Sequence, residues 1–154
     1  MPAPTPNSDI RLRLEEGLRD FFITKKLFGS ALYGAEIYAG HGETKIEGAL
    51  VVIITATNKG GKLAYAGVSE LDVQWKLIAS ADDAGMRLLS PLESEVFGYL
   101  APENTAALLQ FLNAIPGLGV SCYETDGKGS EEGRDPETRE HGAHFTFRFH
   151  ASLR

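Results

Sequence analysis

Ala49-Leu50-Val51-Val52-Ile53-Ile54-Thr55-Ala56-Thr57 is apolar at odd and even positions alike and β-branched through its middle. That is the composition of a strand covered on both faces, because each face of a strand takes alternate residues. β-Branched side chains lose rotamer freedom in a helix and pack well on a pleated surface, and the run is too short to favour a helix. Gly48 before it and Asn58-Lys59-Gly60-Gly61 after it supply turn chemistry. The stretch therefore reads as the central strand of a sheet. Apart from two threonines it holds no acid, base or nucleophile, so it is scaffold.

Upstream of this strand, Ile10, Leu14, Leu18, Phe21 and Phe22 recur at helical spacing. Ser8 or Asp9 is the expected cap, Gly29 the expected stop, and Lys25 and Lys26 are expected in the last turn, where the helix dipole favours cations. Gly17 weakens the helix interior by about 1 kcal/mol relative to alanine, so packing against the sheet must hold it. Residues 1–8, with Pro2, Pro4 and Pro6, read as a flexible arm without the basic start and apolar run of a signal peptide. Leu32 to Ala39 is expected to form a first strand ending at Gly40-His41-Gly42.

Downstream, a hairpin through Asn58-Lys59-Gly60-Gly61 into Lys62 to Ala66 is expected. Leu71, Val73, Trp75, Leu77 and Ala79 then alternate with Asp72, Gln74, Lys76 and Ser80, Ile78 being the exception, which gives one buried and one wet or partner-covered face. Ser90-Pro91-Leu92-Glu93 has the form of a capping box with proline at the first helical position, and Leu92, Val96 and Leu100 follow as a stripe. Pro102 should interrupt that helix. A further helix from about Glu103 carries Leu108, Leu112 and Ile115 until Pro116-Gly117. Val120 to Thr125 and the run with Phe145, Phe147, Phe149 and Ala151 read as a closing strand pair, the phenylalanines facing the core. Between them residues 126–142, polar and charged through Glu140, read as a mobile loop. A helix, then strands, then a helical pair, then strands, with no repeats, argues one α+β domain with a mainly antiparallel sheet and helices packed against it.

Composition narrows the function classes. The chain of 154 residues is long enough to bury a core without staples. Its net charge of −6 argues against tight binding to a phosphate backbone, which draws on clustered lysine and arginine. An acidic surface repels DNA, a useful property in a conduit through which DNA slides. The single cysteine, Cys122, excludes an internal disulfide and a cysteine zinc cluster and fits a reducing compartment. No apolar run approaches the ~20 residues of a membrane helix.

Candidate chemistry is sparse. His141, His144 and His150 lie close in sequence, and His-x-x-His can bind metal. His144 and His150 share a strand face but stand roughly 20 Å apart, which leaves His141 and His144 as the only plausible pair beside the reading of solvent-facing strand histidines. Cys122 shares strand parity with Val120 and reads as a small core residue, not a nucleophile. The pairs Asp82-Asp83 and Glu131-Glu132 sit in turn and loop contexts as solvated charge. Gly40-His41-Gly42-Glu43-Thr44-Lys45 and Asn58-Lys59-Gly60-Gly61-Lys62 lack the order of a phosphate-binding loop and read as turns. No catalytic, cofactor-binding or metal residue is expected.

The element order, an amphipathic N-terminal helix, antiparallel strands containing Ala49 to Thr57 and Leu71 to Ser80, helices from Ser90 to Ile115, and the closing strand His144-Phe145-Thr146-Phe147-Arg148-Phe149-His150, resembles the tail terminator proteins of long-tailed bacteriophages. The resemblance rests on arrangement, without a diagnostic motif. It implies a non-enzymatic structural virion protein of the tail and neck, assembled in the host cytoplasm. Such a protein forms a hexameric ring that caps the tail tube, ends tail elongation and joins the tail to the head connector. It implies as partners further copies of the chain, the tail tube protein and head–tail connector proteins, with DNA passing through the lumen unread. The alternatives are an oligomeric α+β enzyme or ligand-binding domain of hotdog-like or ferredoxin-like form, and a bacterial protein-interaction module.

Overall fold

The computed structural model of the chain describes residues 6–40, 50–60, 67–79, 83–125, 131–134 and 141–153. Helix α1 (Pro6–Thr24) leads into a short strand β1 (Glu36–Ala39), then β2 (Leu50–Gly60) and β3 (Ser69–Ala79). Helix α2 (Asp83–Tyr99), a 3-10 turn (Pro102–Asn104) and α3 (Thr105–Asn113) follow, and β4 (Leu118–Thr125), β5 (Glu131–Arg134) and β6 (His141–Leu153) complete the order. The strands form one sheet in the order β1-β2-β3-β6-β4, with β5 paired to β6 beside β4. Among the described strands only β1 and β2 run parallel; the other pairs are antiparallel. This is the single α+β domain that the element order implies.

The middle of the sheet is β3, not the apolar stretch that begins β2. Because β6 returns to pair with β3 from Ser69↔Ala151 to Ala79↔His141, β3 is flanked along its length and β2 becomes second from the edge. The alternation along β3 explains its place: Leu71, Val73, Trp75, Leu77 and Ala79 are all fully buried. They meet Phe145, Phe147 and Phe149 of β6 and Leu50, Val52, Ile54 and Ala56 of β2 in one core. Trp75 stacks on Phe145 at 5.7 Å and takes the edges of Phe22 and Phe147, each pair adding about 0.5–1.5 kcal/mol beyond burial.

All three described α-helices cover this one face. Helix α1 delivers Ile10, Leu14, Leu18 and Phe22, α2 delivers Leu89, Leu92, Val96 and Leu100, and α3 delivers Leu108 and Leu112. Gly17 is where α1 meets the end of α3: a Cβ there would stand 2.6 Å from Ile115 Cδ1 and 3.1 Å from Leu112 Cδ2. The missing side chain lets the elements approach, which offsets its cost in helix propensity.

Several boundaries differ from the sequence expectation. Helix α1 begins at Pro6, inside the stretch read as an arm, and ends at Thr24, so Lys25 and Lys26 follow the helix and do not lie in its last turn. Strand β1 starts only at Glu36, the preceding residues folding into successive turns. Helix α2 starts at Asp83, and Pro91 lies inside it. The proline costs one backbone bond, yet the helix passes through it because Leu89 upstream and Leu92 downstream bury on the same sheet. Strand β5 occupies part of the polar loop, and β6 starts at His141. The expected strand from Lys62 to Ala66 and the remainder of the polar loop, 126–130 and 135–140, lie outside the described residues, as do residues 1–5 of the arm.

Candidate functional site: an open sheet face and an aromatic tip

Among the described residues every helix packs on one side of the sheet, and none lies over the other face. The register sets its rows. One carries Val51, Ile78 and Gly142, the next Ile53, Lys76, His144 and position 131, then Thr55, Gln74 and Thr146, then Thr57, Asp72, Arg148 and position 124. Glu36 and Tyr38 of β1 flank the Val51 and Ile53 end. Val51 is fully buried although it lies outside the core cluster, and Ile53 and Ile78 are half-buried. The second face of the apolar stretch is thus covered only in part, and the face grades from apolar to charged.

Arg148 organises the charged end. Its Nε and Nη2 donate to the two carboxylate oxygens of Asp72 at 2.8 and 3.3 Å, and Nη1 stands 3.7 Å from Glu70. This two-pronged geometry fixes the side chain more firmly than a single contact, though it stays partly solvated and adds little stability.

The sequence candidates are spread apart. Positions 141 and 144 both lie on strand β6, three residues apart, and the side chain of His141 lies outside what the structure describes. His144 and His150 share the open face six residues apart. Cys122 is in register with His150 instead of continuing the core parity of Val120, because a bulge between Val120 and Cys122 inserts Ser121. Asp83 opens α2 and is not in a turn; Glu131 and Glu132 lie on β5 and not in a loop; Asp82 lies outside the described residues. Gly40 closes β1 at φ +99, while 41–45 are outside the described residues. Asn58 Oδ1 accepts the Gly60 N–H at 2.8 Å at the end of β2. Among the described residues no group of three or more His, Cys, Asp or Glu side chains is placed to hold a metal ion. No helix among them is long and apolar enough to cross a membrane.

Two tyrosines have raised pKa values. Burial pushes Tyr123 up, partly offset by its hydrogen bond with Thr105 at 3.1 Å, and its hydroxyl also donates to the Leu100 carbonyl at 3.2 Å. Burial and then the Glu95 carboxylate raise Tyr99. Both belong to the helix–sheet packing and neither lies on the open face.

The second feature follows α1. From Lys25 to Ala35 the chain makes successive turns closed by Lys25 N–H to Phe22 O, Ser30 N–H to Leu27 O and Ala35 N–H to Leu32 O. Leu32 and Ala35 are buried anchors, and the Leu32 N–H donates to Glu95 of α2 at 2.9 Å. Between these ties the loop turns large side chains outward: Phe28 is 91% exposed, Leu27 61%, Tyr33 55% and Ile23, at the end of α1, 47%. Phe28 and Tyr33 pack edge to face at 5.5 Å. Lone exposed apolar residues are ordinary; three in one anchored loop, with a fourth in the last turn of the helix before it, are not. The sequence carried a signal for the loop, Leu27, Phe28 and Tyr33 beyond the helix end on either side of Gly29, that helical periodicity does not capture.

No protein-family model and no curated protein matches this chain.

Proposed function

We propose that the chain is a structural, ring-forming protein of the tail-terminator kind: a homo-oligomer, hexameric if the resemblance holds, that caps a phage tail tube, ends its elongation and joins it to the head connector. The observation that carries this reading is the one-sided helical cover, which leaves a broad amphipathic sheet face in a chain that also exposes large apolar side chains on an anchored loop. A protein that presents an apolar patch and an uncovered sheet face has surfaces suited to repeated contact with copies of itself. Its net charge of −6 suits a lumen through which DNA passes without being held. Further partners in this reading are the tail tube and connector proteins, and its place is the virion.

Two measurements test the reading. Purified protein at micromolar concentration should show ring-shaped particles by electron microscopy with a mass that is a multiple of the monomer. A phage lacking the product should make tails of uncontrolled length that fail to join heads, and the intact chain supplied in trans should restore them. Tails of normal length without the product, or coding neighbours devoted to metabolism, would favour the oligomeric enzyme or ligand-binding domain instead.

A further inference from the structure

We infer that the loop carrying Leu27, Phe28 and Tyr33, together with Ile23 at the end of α1, is an anchor that inserts into the surface of an anionic lipid bilayer. The inference goes beyond the oligomeric reading above and does not depend on it. A segment that enters the apolar edge of a bilayer must satisfy its own backbone, because water no longer does so. This loop largely meets that condition. The N–H groups of Lys25, Lys26, Leu27, Ser30, Tyr33 and Ala35 all donate to carbonyls between Phe22 and Leu32, and the Leu32 N–H donates to Glu95. The hydroxyls of Thr24 and Ser30 turn inward in the same way, to the carbonyls of Phe21 and Lys25. Held by the buried Leu32 and Ala35, the loop is ordered before it binds.

Size and charge select lipid over a protein partner. Phe28, Leu27, Tyr33 and Ile23 together expose about 500 Å² of surface, taking ~200 Å² for each large residue. A specific protein contact takes about 800 Å² from each partner and a matching shape. A bilayer surface needs no matching shape, and binding there scales with the apolar area and the cations presented. From Phe21 to Ala35 the chain carries Lys25 and Lys26 and no acid, in a molecule at −6. The acids that flank the loop are engaged: Asp20 with Arg19, Glu36 with the Tyr38 hydroxyl and Glu95 with the Leu32 N–H. Lys25 Nζ is held at the base of the loop, over the Phe21 and Tyr99 rings at 5.2 and 5.5 Å, and Lys26 has no carboxylate partner among the described residues. Lysines behind an apolar end with a tyrosine beside it suit the headgroup level of a bilayer, where long cations snorkel and aromatic rings settle. Acids on the rest of the molecule act weakly here, since charges more than ~8–10 Å away are largely screened at physiological salt.

The test is co-sedimentation of the full chain with vesicles of phosphatidylcholine alone or of phosphatidylcholine with phosphatidylserine, at low and at physiological salt. The parent should bind the phosphatidylserine vesicles, and bind them more weakly as salt rises. Phe28→Asp should bind at least about tenfold more weakly, and the double change Lys25→Gln, Lys26→Gln should lose the preference for phosphatidylserine. Leu12→Asp, at another exposed apolar position roughly 16 Å from Ile23 along α1, should bind as the parent does. Circular dichroism melting verifies that each variant is folded. A parent that stays in the supernatant with both kinds of vesicle overturns the inference, and so does a Phe28→Asp variant that binds as the parent does. If the parent ignores vesicles while Phe28→Asp lowers its mass by light scattering, the loop is a contact between copies, and the oligomeric reading stands without the anchor. A parent that binds vesicles as a monomer keeps the anchor and removes the ring.

Discussion

The carboxylate of Glu15, 1% exposed on α1, accepts the backbone N–H of Ala56 on β2 at 2.9 Å. Strand β1 stops at Ala39, and the last backbone bond on that side of β2 runs from the Gly40 N–H to the Ile54 carbonyl. Ala56 is the next residue whose N–H points that way, and Glu15 takes the place of the missing strand. Its other oxygen is held by Arg11 at 3.3 Å.

Replacing Glu15 with alanine should therefore cost about 1–3 kcal/mol, because it strands a buried N–H. Glu15→Gln keeps an acceptor and should cost clearly less. Urea unfolding midpoints compare the two. Equal losses would mean that the carboxylate's charge, and not its hydrogen bond to Ala56, is what matters.

Asn113 does the same work at the opposite edge. Its amide nitrogen donates to the Val120 carbonyl at 2.9 Å and its oxygen accepts the Val120 N–H at 2.8 Å, just before the bulge in β4. Asn113→Ala should destabilise by about 1–3 kcal/mol and speed amide exchange at Val120. Asn113→Asp keeps only the acceptor and should fall between the two.

The two glycines that α1 leans on should respond differently. Gly17→Ala meets only the flexible Ile115 and Leu112 side-chain ends, and its gain in helix propensity of about 1 kcal/mol should leave stability within about 1 kcal/mol of the parent. Gly17→Leu should unseat α1 from α3 and cost several times as much. At Gly117, φ is +85 and a Cβ would stand 1.8 Å from Arg13 Nη1, which donates to the Pro116 carbonyl at 3.0 Å. Gly117→Ala should cost about 1–2 kcal/mol from backbone strain even in an Arg13→Ala background, where the clash is gone.

Tyr123 links acidity to stability. Its folded pKa is raised above 10.0 chiefly by burial, so the folded chain holds the phenolic proton more tightly than the unfolded one. The stabilisation is fully present below the unfolded value and is lost as pH rises from about 10 through the raised value. Tyr123→Phe should flatten the alkaline loss of melting temperature, with Tyr99, also raised, supplying the remainder. An unchanged alkaline slope in Tyr123→Phe would refute this assignment.

Shortening residues 127–139 to a tight turn removes β5, which pairs with His141 to His144. The bare β6 edge should lower stability modestly. If the acidic loop docks a basic patch on a neighbouring subunit or tail protein, the shortened chain should also assemble more weakly, with the difference shrinking as salt rises. Assembly and tail completion equal to the parent would make the loop an insertion without a docking role.

Where one side chain meets its own neighbours, the sequence was legible. The alternation of Leu71 to Ala79, the phenylalanines of β6 and the stripe Leu14, Leu18 and Phe22 all lie in the core where periodicity puts them. What escaped depends on partners distant in sequence or on a single inserted residue. Glu15 reads as an ordinary helix-surface acid until the chain brings Ala56 beside it. The bulge at Ser121 changes the face of everything after it, and nothing in Val120 to Thr125 announces it. Ser90-Pro91 carries a strong local start signal, but burial of Leu89 against the sheet outweighs it. The two-sided apolarity of β2 correctly marks an interior strand, yet it cannot say which neighbour stands in the middle.

The place of β3 also governs the order in which the molecule can be made. Its partner on one side, β2, is complete before it emerges from the ribosome, but its partner on the other, residues 141–153, comes after α2, α3 and β4 have all been synthesised. Throughout that interval a long strand edge with Trp75 at its centre has no mate, and closing it must bring together residues such as Ser69 and Ala151 across most of the chain. Such distant closure is slow, and an unmated edge invites pairing with a neighbouring nascent chain. Yield of soluble protein should therefore respond more sharply to synthesis temperature and to changes in β6 than to equal losses of stability placed in α3.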